Sequence, residues 1–196
     1  MAKRKSSTKR KTTETEIDLQ FTIDGRGQAK IECQLPFLQH MLQLFARHGL
    51  FDLKISASGD LEVDDHHLVE DLGICLGLAI KNSLSDKRGI SRYGFAQVPM
   101  DEAAVNVTVD LSGRPYFIYR VRPPAKKIKK FEVQLIEEFL RALAFGAEMN
   151  LHVQMLYGAN THHIFEALFK ALGRALDAAS RIDPRISGVP STKGKL

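Results

Sequence analysis

Hydrophobic positions in the first half of the chain follow two periods in succession. Alternation over residues 14–23 and 28–34 predicts two β-strands, and the "DGRG" between them is an Asp-Gly hairpin signal. Next, "PFLQHMLQLFARHG" carries a wide helical stripe of apolar residues that Gly49 is placed to end. The segment "LFDLKISAS" predicts another strand, and a long helix follows from about residue 65 to 83. The predicted order is ββαβα.

The second half repeats this order. "AAVNVTVDL" alternates valine with polar residues, and "SGR" connects it to the strand "PYFIYRV". A helix at about 131–148, a strand at 150–157 and a helix at 161–179 follow. Fifteen-residue windows that begin at His66 and His162 are identical at seven positions. The sequence therefore predicts an α+β fold made by internal duplication of two ββαβα units, with two sheets backed by helices.

Charge and composition predict four segments. Residues 1–11 contain six Lys/Arg and no acidic residue, which predicts a basic disordered arm. The arm's six charges exceed the net charge of +5, so residues 12–196 sum to −1. We predict the first repeat at 12–95 and the second at 96–182. Residues 183–196, with glycine, proline and no apolar periodicity, are predicted to form a mobile tail that closes over substrate.

The predicted location is the cytoplasm, without membrane contact. No apolar run approaches the roughly 20 residues that cross a bilayer, and the N-terminus lacks the apolar region of a signal peptide. Cys33 and Cys75 are the only cysteines, so a disulfide framework is not predicted.

Both windows open with two adjacent histidines and have a glutamate four residues after the first. On a helix, residues four apart share a face, so the first histidine and the glutamate can bind one metal ion. Adjacent side chains point about 100° apart, so each second histidine is expected to serve the ion of the other repeat. The predicted ligand sets are His66, Glu70 and His163 for one ion, and His162, Glu166 and His67 for the other. The alternative is that the histidines are only polar first turns of duplicated helices.

A further ligand for each ion is predicted from equivalent positions on the preceding helices. His40 lies 26 residues before His66, and Glu138 lies 24 residues before His162. Mixed imidazole and carboxylate ligands suit Mn²⁺, Fe²⁺ or Zn²⁺. Positions left open for substrate favour catalysis, and a closed structural site is the alternative. His48 is ambiguous between a helix C-terminal cation and a site residue.

The chain resembles the imidazoleglycerol-phosphate dehydratase family. The resemblance rests on "TTETEI", "FLQHML", "DDHHLVEDLG", "DLSGRPY", "THHIFEALFKALGRAL" and "GVPSTKGKL", in this order across residues 12–196. It implies the fold of the ribosomal protein S5 domain 2-like group, two Mn²⁺ per active site, and 24 subunits with sites at subunit contacts. The implied activity is that of a carbon–oxygen lyase of histidine biosynthesis, which removes water from imidazoleglycerol phosphate to give imidazoleacetol phosphate.

The resemblance also implies roles for individual residues. Glu14 of "TTETEI" matches a substrate-contacting carboxylate and is the candidate base. The implied catalytic set is Glu14, His40, Glu70 and Glu166, and the implied substrate-binding set is Glu14, His48, Arg92, Arg114, Lys170, Ser191 and Lys193. Arg92, Arg114, Ser191 and Lys193 match phosphate-binding positions, for which arginine and lysine are suited. Two positions depart from the family: Gln39 replaces a common aspartate, and Glu138 replaces a metal-binding histidine.

A second function class remains open at this point. Paired ββαβα-like units also occur in RNA-binding proteins, and the N-terminal arm is cationic, so a basic RNA- or ribosome-associated protein is the alternative. The enzyme is favoured. The expected partners are a small phosphorylated imidazole and further copies of the chain, and nucleic acid is not expected.

Overall fold

The computed structural model describes residues 4–196, which form ten strands and four helices. The strands are β1 (Lys5–Lys11), β2 (Thr15–Thr22), β3 (Ala29–Cys33), β4 (Asp52–Gly59), β5 (Tyr93–Met100), β6 (Ala103–Asp110), β7 (Tyr116–Arg120), β8 (Lys127–Ile128), β9 (Phe131–Glu132) and β10 (Asn150–Tyr157). The helices are α1 (Pro36–Gly49), α2 (His66–Leu84), α3 (Leu135–Gly146) and α4 (Thr161–Ser180).

The two halves have the same sheet topology, which confirms the duplication. One sheet has the order β1-β2-β4-β3, and the other has the order β5-β6-β10-β7. In both sheets the three strands listed first pair antiparallel, and the last strand pairs parallel to its neighbour. Both predicted ββαβα units are present. Each also has one more strand at its N-terminal side, β1 in the first repeat and β5 in the second.

Residues 5–11, predicted to lie in a disordered arm, instead form the edge strand β1. Its half-buried positions are polar: Ser6 Oγ donates to the Ala79 carbonyl at 2.7 Å, and Arg10 Nε lies 2.9 Å from Asp71 Oδ1. Because neither face of the strand is apolar, the hydrophobic pattern gave no signal for it. Residues 1–3 of the predicted arm lie outside the described residues.

The pairing of β1 also removes one of the two observations behind the RNA-binding alternative, the free cationic arm. Lys9 and Lys11 make ion pairs of 2.9 Å with Asp18 and Glu16 of β2. These charges belong to a two-stranded ion-pair pattern on a sheet surface, not to a free cationic arm.

The predicted repeat boundary at residues 95 and 96 falls inside β5, so the second repeat begins earlier, at β5 itself. The strand escaped prediction because its pattern is inverted: Tyr93 and Phe95 are exposed, whereas the small residues Gly94 and Ala96 face inward. The predicted helix at 131–148 is shorter, because the hairpin of β8 and β9 precedes it and α3 begins at Leu135.

The helices pack crosswise between the repeats. Helix α1 packs against α4, and α2 packs against α3. Gly77 and Gly173 occupy equivalent positions at these two contacts. A Cβ on Gly77 would lie 2.6 Å from the Leu143 carbonyl oxygen, and one on Gly173 would lie 2.5 Å from that of Phe45. Each glycine thus allows a close helix approach, which brings the first helix of one repeat to the second helix of the other.

Residues 183–196 form neither helix nor strand. They run along the loop before β5, where the Gly89 amide donates to the Gly188 carbonyl at 2.8 Å and the Asp183 amide donates to the Gly89 carbonyl at 2.8 Å. Among residues 4–196, no helix combines the length and hydropathy needed to cross a bilayer.

Candidate active site

The crosswise packing of α1 and α4 brings two histidines and a glutamate together. Glu166 Oε1 lies 3.2 Å from His40 Nε2 and 3.1 Å from His162 Nε2. One potential ligand atom from each residue lies within 4.8 Å of the others, and this is the only such group of three within residues 4–196. The three residues are partly buried, so the group is both shielded and accessible.

Glu166 is held as a carboxylate. Burial alone would raise its pKa, but hydrogen bonds from Lys170, His40 and His162 outweigh burial and lower the pKa to about 2. The Lys170 ammonium lies 2.7 Å from Glu166 Oε2 and also contacts Met100 Sδ at 3.2 Å. The predicted site lysine therefore lies against the histidine–glutamate cluster, with a side chain only 14% exposed.

An apolar cavity of about 780 Å³ opens beside this cluster. His40 and His162 line one side of it, and Phe37, Leu61 and Phe131 are among its apolar lining residues. The Phe37 ring meets the His162 ring edge-on, with centroids 5.6 Å apart. The imidazoles therefore border a space from which water can be displaced by a small molecule.

At both helix starts, residues other than the histidines accept the free backbone amides: the N-cap Asn160 does so at α4, and Asp64, one residue before the N-cap, does so at α2. Asn160 Oδ1 accepts from the His162 amide at 2.9 Å, and Asp64 Oδ1 accepts from the His66 amide at 2.6 Å. These are the preferred side chains for satisfying the free amides of a helix N-terminus. Since the imidazoles are not needed as caps, the alternative that the histidine pairs serve only as polar first turns loses its main support.

The equivalent site on α2 is more open. His66 Nε2 lies 3.7 Å from Glu70 Oε2, and both side chains are exposed by more than 40%. His67 points elsewhere: its Nδ1 lies 3.1 Å from both carboxylate oxygens of Asp60, and its Nε2 lies 4.0 Å from Glu14 Oε1. The hydrogen bond with Asp60 raises the pKa of His67.

His163 has a carboxylate partner of the same kind. Its Nδ1 lies 2.7 Å from Glu102 Oε2, and its Nε2 lies 3.9 Å from Asp101 Oδ2. The hydrogen bond with His163, followed by that from the Asn160 amide, lowers the pKa of Glu102 to about 2. In return, Glu102 raises the pKa of His163.

Within one chain, the structure does not assemble either predicted three-ligand set. His67 does not join His162 and Glu166, and His163 does not join His66 and Glu70, among the groups found in residues 4–196. The physical reason is that adjacent helical residues diverge, so each second histidine faces the loops beside its own helix. Glu138 lies 3.6 Å from Arg141 Nε and also stays outside any group of three in this part of the chain.

The structure adds two residues that sequence reasoning missed, Asp60 and Glu102. The duplication held a signal for Glu102, because it directly precedes β6 as Glu14 directly precedes β2. Asp60 directly follows β4, whereas Gly158 directly follows the equivalent strand β10, so the duplication gave no signal for Asp60.

The candidate phosphate-binding residues lie at the other end of α4. The Arg92 guanidinium pairs with Asp110 at 2.8 and 3.2 Å and donates to the Pro190 carbonyl at 2.9 Å. The hydrogen bond with Asp110 raises the pKa of Arg92. The chain end also comes close to Gly113, beside Arg114. Ser191 Oγ accepts from the Lys193 amide at 3.2 Å, which shapes the tail next to this arginine-bearing end of the sheet.

His48 lies between these two regions on the last turn of α1. Burial lowers its pKa, and the positive charges of Lys170 and Arg174 lower it further. Although His48 is exposed, these contacts act against the helix C-terminal cation that the sequence also allowed.

Comparison with known proteins decides the family. The family model for imidazoleglycerol-phosphate dehydratase matches residues 33–176. The chain belongs to the imidazoleglycerol-phosphate dehydratase family. The match spans all four helices, up to residue 176 of α4, and so includes the histidine pairs and their glutamates.

Curated members of the dehydratase family match nearly the whole chain. The enzyme of Geobacillus sp. (strain WCH70) is 59% identical over 193 residues, covering 98% of this chain and 99% of the relative. That of Bacillus subtilis (strain 168) is 58% identical over 193 residues, covering 98% and 100%. Glu14 and the tail, outside the family-model match, therefore lie almost entirely within the region shared with these dehydratases.

Solved dehydratase structures share the fold. The crystal structure from Pyrococcus furiosus has a TM-score of 0.83 at 39% identity, covering 96% of this chain and all of that one. The structure from Staphylococcus aureus has a TM-score of 0.81 at 37% identity, covering 89% and 97%. The duplicated architecture is thus that of the dehydratase family.

Proposed function

We propose that the chain removes water from imidazoleglycerol phosphate to give imidazoleacetol phosphate, as a hydro-lyase of histidine biosynthesis. The observation that carries this proposal is the convergence of His40, His162 and Glu166 in a member of the dehydratase family. Two imidazoles and an ionised carboxylate beside an apolar cavity form a site for a metal-assisted reaction on a small polar substrate.

The donor set of this group fits the expected metal. Imidazole and carboxylate together suit Mn²⁺, and the three ligand atoms already lie close enough to share one ion. We assign His40, His162 and Glu166 to one Mn²⁺ and His66 and Glu70 to a second, with Glu138 as a further candidate ligand. When bound, the two ions would act as Lewis acids that polarise the imidazole ring of the substrate and ease departure of its hydroxyl group.

Glu14 is proposed as the base that removes the proton from the substrate carbon. Its backbone is held on both sides: the amide donates to Thr12 Oγ1 at 3.1 Å, and the carbonyl accepts from the Asp60 amide at 3.0 Å. Its side chain is 50% exposed, and its nearest charged partner, His67, is 4.0 Å away. A fixed backbone with a free carboxylate suits proton transfer to and from a bound substrate.

Complete sites are proposed to form between copies of the chain. The Arg92 amide bonds the Ala179 carbonyl, thirteen residues after Glu166 on α4, so the two candidate regions are about 20 Å apart along this helix. A small phosphorylated imidazole cannot span that distance. We therefore propose that the phosphate-binding residues of one copy face the metal ligands of another, and that His67 and His163 also complete neighbouring sites.

This arrangement makes an oligomer necessary for activity, and we propose an assembly of 24 subunits in the cytoplasm. Arg92, Arg114, Ser191 and Lys193 would hold the phosphate, with the arginines making paired hydrogen bonds. His48 and Lys170 would complete the substrate-binding surface beside Glu166.

Turnover after metal exchange tests the proposed function. Protein stripped with a chelator and reloaded with Mn²⁺ is expected to form imidazoleacetol phosphate, whereas the stripped protein is not. His162→Ala should abolish turnover, and His152→Ala is the matched control because His152 is an exposed residue on β10 that contacts the Tyr116 ring. Absence of product from folded, metal-loaded protein would refute the proposal.

A further inference from the structure

The duplication places two glutamates in equivalent positions with different surroundings. Glu14 directly precedes β2, and Glu102 directly precedes β6, the corresponding strand of the second sheet. Each lies next to the second histidine of its own repeat, His67 for Glu14 and His163 for Glu102.

Glu102 is committed to fixed contacts. One carboxylate oxygen lies 2.7 Å from His163 Nδ1, and the other accepts from the backbone amides of Asn160 at 2.7 Å and Ala159 at 3.2 Å. These amides precede α4, so Glu102 joins the β5–β6 turn to the start of the helix that carries His163. Both oxygens have partners, and the carboxylate cannot move without breaking them.

In the first repeat, a different residue makes the corresponding contact. Both oxygens of Asp60 lie 3.1 Å from His67 Nδ1, which leaves Glu14 at 4.0 Å from His67 Nε2. The Asp60 amide donates to the Glu14 carbonyl at 3.0 Å, so the residue that holds the histidine also fixes the backbone of the glutamate. The two repeats therefore hold their second histidines through the same ring nitrogen.

We propose that Asp60 and Glu102 are positioning residues that select one tautomer of His67 and His163. Each carboxylate accepts the proton on Nδ1, so each ring presents the Nε2 lone pair on its opposite side, ready to bind a metal ion. The inference rests on the proposed metal-dependent function and extends it. Because Asp60 holds His67, the glutamate of the first repeat is free to act on substrate, whereas its counterpart in the second repeat is not.

Mn²⁺ affinity separates positioning from catalysis. In the full-length assembly, Asp60→Ala and Glu102→Ala are each expected to weaken Mn²⁺ binding about 10- to 100-fold, the usual effect of losing the carboxylate behind a ligating histidine. Free Mn²⁺ measured by electron paramagnetic resonance during titration of metal-free protein gives the affinity directly. Glu14→Ala should keep wild-type Mn²⁺ affinity while its kcat falls, although Glu14 is the counterpart of Glu102.

Conservative variants distinguish positioning from a general structural role. Asp60→Asn keeps an oxygen that can accept the Nδ1 proton of His67, so it should recover most of the Mn²⁺ affinity lost in Asp60→Ala. Glu102→Gln is expected to recover less, because its single oxygen cannot replace both of the Glu102 oxygens that accept hydrogen bonds. Asp60 gives the cleaner test, because its carboxylate makes hydrogen bonds only to His67 among the described contacts, without the backbone links of Glu102. If Glu102→Ala does not fold, Asp60→Ala and Asp60→Asn decide.

The outcomes separate this inference from the function on which it rests. If the wild-type protein binds no Mn²⁺, the proposed metal-dependent function itself is refuted. Wild-type binding with an unchanged affinity in Asp60→Ala would overturn the positioning role, as would a loss in Glu102→Ala that only parallels a lower unfolding temperature.

Discussion

The backbone amide of Arg92 donates a hydrogen bond of 2.8 Å to the carbonyl of Ala179, near the C-terminal end of α4. His162 lies at the opposite end of the same helix, where it contacts Glu166. A residue proposed to bind phosphate and residues proposed to bind metal are therefore held apart by a rigid helix. This separation supports the proposal that the two sets of residues meet across a contact between chains.

Mixing two inactive variants should restore activity. His162→Ala removes a metal ligand, and Arg114→Ala removes a phosphate-binding candidate whose described hydrogen bonds use only backbone atoms. If each site takes its metal ligands and phosphate-binding residues from two chains, random mixing gives about one quarter of the sites both intact parts. Chelation, mixing, Mn²⁺ reloading and a dehydratase assay measure the recovery.

The double variant supplies the control for this mixing. A chain with both substitutions, mixed with either parent, has no route to an intact site and should stay inactive. Recovery no greater than the sum of the separate variants would show that each site is built within one chain.

The sequence predicted which site residues share one helix face, but not which helices contact each other. Helical spacing placed His162 and Glu166 on one face, as the structure has them, whereas the role of His40 as a metal ligand stays a prediction. Periodicity identifies which face of a helix is buried but not which helix covers it. The crosswise contact of α1 with α4, and hence the meeting of His40 with Glu166, needed the tertiary structure.

The edge strands β1 and β5 and the carboxylate partners of the histidines were not predicted from the sequence, for other reasons. β1 has polar residues on both faces, and β5 buries Gly94 and Ala96 while exposing aromatic residues, so neither gives the alternation that marks a half-buried strand. Asp60 acts on His67 from a loop, whose conformation has no sequence period. Such contacts depend on where loops end in space.

Metal content should divide between the two duplicated helices. His162→Ala and His66→Ala are each expected to lower bound Mn²⁺ from about two ions to about one per chain. Each substitution removes a proposed ligand of a different ion, on the first turn of α4 or of α2. Elemental analysis after reloading and desalting measures this. Loss of both ions from either variant, or of neither, would contradict the assignment of one ion to each helix.

The helix contact at Gly77 should resist even a methyl group. Gly77→Ala would place a Cβ only 2.6 Å from the Leu143 carbonyl oxygen, which is too close for two unbonded atoms. The resulting overpacking is expected to cost about 1–3 kcal/mol of stability. Asn82→Ala, at an exposed position of the same helix, is the control and should stay within about 0.5 kcal/mol. Denaturant unfolding of metal-free protein measures both, and equal stabilities would refute the close contact.

Protonation of His48 should weaken the folded state. Burial and the nearby Lys170 lower its folded pKa below the ordinary value of 6.5, so the unfolded chain binds a proton more readily. Stability from this residue is therefore present above pH 6.5 and is lost as the pH falls from 6.5 through the folded pKa. Metal-free wild type should lose more stability than His48→Gln between pH 8 and pH 5.5, and equal losses would contradict a neutral His48.

The tail should act on substrate rather than on metal. Its backbone already contacts Arg92, whose guanidinium donates to the Pro190 carbonyl at 2.9 Å, and Lys193 follows three residues later. Lys193→Ala should remove a charge-assisted contact of about 1.5–3 kcal/mol and lower kcat/KM roughly ten- to a hundred-fold. Mn²⁺ content and particle size should not change, because the metal ligands are at the other end of α4. Lys195→Ala, two residues further along the tail, is the matched control. Wild-type kcat/KM in Lys193→Ala, or in a chain truncated after Ile186, would mean that Arg92 and Arg114 hold the phosphate without the tail.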